Sequence, residues 1–209
     1  MLRSSIMCIA ALGLSAGVAS ADMVSIQGLT GSSIEHTGAT FSGTLEYNFV
    51  SGSMGELKVS LTNDTPGSVG GFLTGFLFRA DAVSNASFVS STQSGMTFTG
   101  AGSAAPFGSY DGGAAVGGSF LGGGNPSGGL AVGQSGMFVF NVTSATAATL
   151  SANDFLGSLT EPGFVVRFRG LTDGGSDKVP GGYQVVVPLP GAGALAAAGV
   201  ALVGIRRRR

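Results

Sequence analysis

Between Thr40 and Phe49 every second residue is polar, and Phe41, Gly43, Leu45, Tyr47 and Phe49 fill the positions between. A period of two sets one face of a strand against a core and the other toward water. Leu57, Val59 and Leu61 resume the alternation after Ser51-Gly52-Ser53-Met54-Gly55, so the two runs read as a hairpin. Further short runs of strand character are 24–27, 72–79, 86–89, 96–99, 137–143, 164–169 and 183–187. Nine short strands separated by Gly, Asn, Asp and Pro predict an all-β body, a single β-sandwich with jelly-roll or Greek-key connections. The segment 145–156, Ala-rich and without Gly or Pro, is either a short helix or a loop.

Both ends depart from this pattern. Arg3, the apolar stretch 6–18 and the small-residue sequence Ala19-Ser20-Ala21 have the layout of a secretory signal peptide over 1–21. Signal peptidase would cut after Ala21 and leave Asp22 as the mature N-terminus. At the other end, residues 191–205 carry no charged or polar side chain and are followed by Arg206, Arg207, Arg208 and Arg209. This predicts a C-terminal hydrophobic helix at 191–205 that crosses the membrane, with the arginines as a stop-transfer cluster on the cytoplasmic side. Fifteen residues rise only about 22 Å as a helix, against a hydrocarbon core of ~30 Å. The chain therefore divides into a signal peptide (1–21), an ectodomain (22–186) and a C-terminal segment (187–209).

The C-terminal segment resembles the PEP-CTERM sorting signals of exosortase-dependent bacterial proteins, in the variant whose motif reads Val-Pro-Leu-Pro and a small residue. Here the motif is Val187, Pro188, Leu189, Pro190 and Gly191. The likeness covers the last 23 residues and has three parts in order: Pro-x-Pro, a short apolar run and an arginine cluster. It implies recognition by an exosortase-type membrane sorting enzyme, removal of the tail, and transient anchoring in the inner membrane before delivery to the cell surface or extracellular matrix. The body is also similar to other exosortase-sorted proteins in its Asn-containing turn (61–66), the following Gly-Phe strand (71–76) and a Gly-rich middle.

That middle, 100–136, contains fourteen glycines in 37 residues. Glycine loses much entropy on ordering and buries nothing in return. Phe107, Tyr110, Phe120 and Leu121 nevertheless read as anchors for a partly ordered excursion over the sandwich. With both ends removed, five basic residues face eleven acidic ones, a net charge of −6 that disfavours nucleic acid as a partner. The sole cysteine, Cys8, lies in the signal peptide, so the mature chain has no disulfide.

Candidate chemistry is sparse. His36 is the only histidine, no Gly-x-Ser-x-Gly elbow is present, and one His without Cys cannot fill a zinc site. His36 reads as a solvated turn residue. Asp173 and Asp177 flank a flexible turn and offer two oxygen ligands for calcium as a cofactor, but the turn lacks the acidic density and distal Glu of an EF-hand. Asp64 and Asp111 sit in similar turns. Arg167 and Arg169 share the solvent face of one strand, where they either guard an edge or meet an anionic polymer. Asn63, Asn85 and Asn141 begin N-x-Ser/Thr sequences.

The reading is a non-catalytic exported surface or extracellular-matrix protein. Its alternatives are a glycan- or calcium-binding adhesin with extracellular polysaccharide as partner, and a secreted hydrolase using two carboxylates across a cleft. The adhesin lacks the usual aromatic platform, since the chain has no Trp and only three Tyr.

Overall fold

The alternating run becomes β2 (Phe41–Ser51), paired antiparallel with β3 (Met54–Asn63) from Phe41↔Asn63 to Ser51↔Met54. The computed structural model describes residues 22–158 and 160–183. Its other strands are β1 (Asp22–Gly28), β4 (Phe72–Phe78), β5 (Val83–Ser91), β6 (Met96–Phe98), β7 (Gly102–Ser103), β8 (Ser109–Tyr110), β9 (Gly112–Val116), β10 (Leu130–Ala131), β11 (Ser135–Ser144), β12 (Phe164–Arg169) and β13 (Ser176–Tyr183). Hydrogen bonding runs without interruption through β5-β11-β3-β2-β1-β13-β12-β4-β9-β6; β10 joins β4, and β7 and β8 form a separate ribbon. All pairings are antiparallel.

This order corrects the predicted β-sandwich. A sandwich leaves two sheets with separate edges, whereas here one sheet rolls into a nearly closed ten-strand barrel. The corner is β13, which pairs with β12 over Ser176–Pro180 and with β1 over Gly181–Tyr183. Gly181 and Gly182 stand where it changes partner. A Cβ on Gly182 would lie 2.8 Å from the Leu29 side chain, and one on Gly181 3.0 Å from Phe164. At the opposite seam β5 and β6 approach without pairing. A Cβ on Gly112 would stand 3.0 Å from that of Ala86, and Phe140 of β11 touches both Phe88 of β5 (ring centroids 5.5 Å) and Phe98 of β6 (6.4 Å).

Phenylalanines fill the interior. Phe76 packs on Phe138 (4.8 Å), Phe164 (5.6 Å) and Phe140 (6.0 Å), and Phe78 on Phe140 (4.9 Å). Phe155 closes one end against Phe78 and Tyr47. Such residues contribute roughly 1.5–3 kcal/mol each by burial, so this column is the main source of stability. The segment 145–156 forms no α-helix but two 3-10 turns, Ala147–Thr149 and Ala152–Phe155, the second held by a Ser151–Asp154 capping box.

Five strands escape the sequence pattern: the two-residue β7, β8 and β10, the five-residue β9 and, but for Tyr183, β13. β9 reads Gly-Gly-Ala-Ala-Val and is buried throughout, because it lies between β4 and β6 with both faces covered. A Cβ on Gly113 would come within 2.0 Å of the Phe76 carbonyl oxygen. β13 begins inside the expected turn and runs through Pro180 to Tyr183; of the strand expected at 183–187 only Tyr183 is among the described residues. The Gly-rich excursion covers the outer face of β4 and β12, where Phe120, Tyr110 and Ala104 bury Leu77 and Val165; Leu121 stays exposed. Arg167 Nη1 donates to the Phe120 carbonyl (2.6 Å), and Arg169 donates to those of Gly123 and Gly124.

The expected membrane helix is also corrected. Among the described residues no helix is long and apolar enough to cross a membrane, and the helical elements there are 3-10 turns of three or four residues. The segment 191–205 itself lies outside the described residues, and at about 22 Å it falls short of the ~30 Å core. Transient inner-membrane anchoring, and with it the membrane as a partner through a C-terminal helix, is therefore not retained.

Candidate functional site

Outward-facing positions of the period-two pattern meet across strands that are distant in sequence. Gln27, Ser42, Thr62 and Ser135 form one cross-strand row, and Ser25, Thr44, Ser60 and Met137 the next. Adjacent members of a row are about 4.8 Å apart, the spacing of neighbouring strands. All of these but Gln27, together with Thr92, line a hollow of about 550 Å³ on the outer wall. Its floor contains Gly43, Leu61 and Gly136, and at Gly43 a Cβ would fall 2.0 Å from the Ser60 carbonyl oxygen, so the two backbones close up there. The Thr62 and Ser135 hydroxyls are 2.8 Å apart and hydrogen-bonded. Beside the rows Lys58 pairs with Glu46 at 3.1 Å, and the hydrogen bond from Lys58, then that from Asn48, holds the Glu46 carboxyl below its ordinary pKa. Chemically this is a neutral face of donors and acceptors suited to hydroxyl-bearing ligands.

A second hollow, of about 410 Å³, opens at the barrel end near Phe155 and includes Arg79, Asp81, Thr146, Asp154, Ser158 and Glu161 in its lining. Arg79 donates to Glu161 at 3.3 Å and stands 5.8 Å over the Tyr110 ring. Asp154 accepts from the Ser151 backbone N–H (2.7 Å) and hydroxyl (3.0 Å). Two of the three carboxylates are thus engaged within the protein, and a hydrolase would have Asp81 as its unengaged acid here. Nearby Asp111 accepts from the Ala80 N–H at 3.0 Å, and burial raises its pKa, the Asp81 charge adding to the effect. Burial likewise pushes the Tyr110 hydroxyl up to about 12, and it donates to the Pro162 carbonyl at 2.9 Å.

The residues singled out in the sequence fall in different places. Asp177 is buried and accepts from the Glu35 N–H (3.0 Å), the Thr37 hydroxyl (2.8 Å) and N–H (3.2 Å), and the Lys178 N–H (2.8 Å). Burial alone would raise its pKa, but these hydrogen bonds outweigh it and hold the carboxyl below 3.8. Asp173 accepts from the Gly175 N–H at 2.7 Å. Both calcium candidates thus stabilise loops, and no group of three or more His, Cys, Asp or Glu able to hold a metal occurs among the described residues. His36 is exposed, with φ +50°. Asn63 is fully buried, its side chain donating to the Leu130 carbonyl (2.9 Å) and accepting from the Thr65 N–H (3.2 Å); Asn85 is exposed. β12 is paired on both sides, so Arg167 and Arg169 guard no edge. Ala19, Ala21, the motif 187–191 and Arg206 to Arg209 lie outside the described residues.

The hydroxyl face escaped the sequence reading because its members come from four strands whose order only the fold reveals. Its trace in the sequence is the same alternation that identified the strands. Compared with protein-family models, curated proteins and solved structures, the chain matches none.

Proposed function

We propose that the chain is an exported, non-catalytic surface or extracellular-matrix protein, delivered through recognition of Val187-Pro188-Leu189-Pro190-Gly191 by an exosortase-type enzyme that removes the tail. The observation that carries this reading is the pairing, in one sequence, of an A-x-A signal-peptide site before the barrel strands with that motif after them. All thirteen strands of the described residues fit between Ala21 and Val187, so cutting after Ala21 and near Pro190 would remove none of them. The test is the intact mass of the protein recovered from cell-surface and extracellular fractions. The expected mass runs from Asp22 to about Pro190; a mass retaining 191–209 would overturn the processing step.

Glycan binding is a second reading, favoured by the hydroxyl rows across β1, β2, β3 and β11. It predicts retention on neutral polysaccharide beads, weakened by Thr44→Val; equal retention of the variant would remove this face as the cause.

A further inference from the structure

Five cations lie among the described residues. Lys58 and Arg79 are in ion pairs, with Glu46 and Glu161. Arg167, Arg169 and Lys178 have no acidic partner there, and all three stand on the outer face of β12 and β13. Arg167 is the register partner of Lys178, and Arg169 that of Ser176. Their donors go only to neutral carbonyls, Lys178 to that of Ala105 at 2.7 Å. Arg167 Nε is buried without a partner. A hollow of about 360 Å³ adjoins them, lined by Pro126, Arg167, Arg169, Gly170, Gly174, Gly175 and Ser176.

We infer that this hollow is an oxyanion site that takes the carboxylate of an acidic sugar unit, with Arg167 and Arg169 as the cationic groups and the Ser176 hydroxyl as a further donor. A guanidinium presents five donors in a planar fork that matches a carboxylate. Only one contact of Arg167 and two of Arg169 are used on the Gly-rich excursion, so donors remain on both. Burial, and after it the charge of Arg169, lowers the pKa of Arg167. Two like charges held together without a counter-ion are what an incoming anion would relieve. The acids next to the lining in sequence are both engaged within the protein: Asp173, which lines a hollow with Thr37 and Thr172, accepts from the Gly175 N–H, and Asp177 is buried and accepts from Glu35, Thr37 and Lys178. The body carries a net −6, so this patch is a local reversal of sign. A hollow of this size, at the lower end of the ~300–1,000 Å³ typical of ligand sites, suits one charged ring rather than a groove-filling polymer.

The test uses full-length protein in which Arg206, Arg207, Arg208 and Arg209 are replaced by Ser, so that the basic tail does not bind polyanions itself. Oligogalacturonate, maltohexaose and sodium sulfate are titrated calorimetrically. Saturable binding of oligogalacturonate that weakens with salt is expected, with little of maltohexaose or sulfate. Arg169→Gln should weaken it about tenfold, the loss of a charge-assisted pair. Ser176→Asp leaves both arginine–carbonyl contacts in place and should abolish it. Unaltered binding by the Ser176→Asp variant, no saturable binding by the parent, or sulfate binding as tight as the oligomer's would each overturn the assignment. None of these results bears on export or on the neutral hydroxyl face.

Discussion

Phe140→Ala tests whether the barrel closes. Phe140 is fully buried on β11, with ring contacts to Phe78 (4.9 Å), Phe88 (5.5 Å), Phe76 (6.0 Å) and Phe98 (6.4 Å). Two of these partners belong to β4 across the interior, one to β5 and one to β6, so a single ring bridges the seam. Removing a buried Phe side chain costs about 3–5 kcal/mol, and four aromatic pairs, each worth up to about 1.5 kcal/mol beyond burial, place this site near the top of that range. A domain of this size is stable by roughly 5–15 kcal/mol. At about 2–4 °C per kcal/mol, the melting temperature should fall by some 10–20 °C. Phe88→Ala is the control, because Phe88 is half-buried and its one aromatic contact is to Phe140; about 1–2 kcal/mol is expected there. Urea denaturation gives both values, and hydrogen exchange shows where the structure opens. In Phe140→Ala, exchange should quicken most in Met96–Phe98 and Val83–Ser91. A cost within 1 kcal/mol of the control, or exchange quickened equally in β1, would refute the bridging role.

Two further outcomes follow from buried polar groups. Tyr47 Oη donates to the Ala147 carbonyl at 2.7 Å, so Tyr47→Phe leaves a buried acceptor unpaired and should cost about 1–2 kcal/mol in denaturant unfolding; no change would mean the acceptor finds water. The Asp177 carboxyl is held below 3.8, so its contribution is fully present above that pH and is lost as pH falls through the lower folded value. Asp177→Asn should therefore cost about 2 kcal/mol at pH 7 and progressively less below pH ~4, measured as stability against pH; a cost that stays constant down to pH 2 would contradict the charge-based account.

The β2–β3 hairpin and β11 were legible because each presents one apolar face to a core at a period of two, and β4 and β12 as short apolar runs, buried on both faces because the Gly-rich excursion covers the outer one. β9 and β13 were not. Gly112 and Gly113 occupy a strand because Ala86 and the Phe76 carbonyl leave no room for a side chain, and a close approach of that kind has no signature in the strand that makes it. In β13, Pro180-Gly181-Gly182 has the composition of a turn and serves as a corner. The same limit applied to the surface: Thr44 and Ser60 read as solvent-facing positions, but nothing local set them in one row.

Strand content, the polarity of each face, the terminal motifs on which the proposed export rests and the shortage of catalytic residue types are thus read from the chain itself, because they depend on near neighbours and composition. Barrel against sandwich, the hydroxyl hollow and the unpaired arginine patch depend on which strand lies beside which. That order is set by the packing of Phe76, Phe138, Phe140 and Phe164 across the interior and by the bend in β13, interactions between residues far apart in the chain.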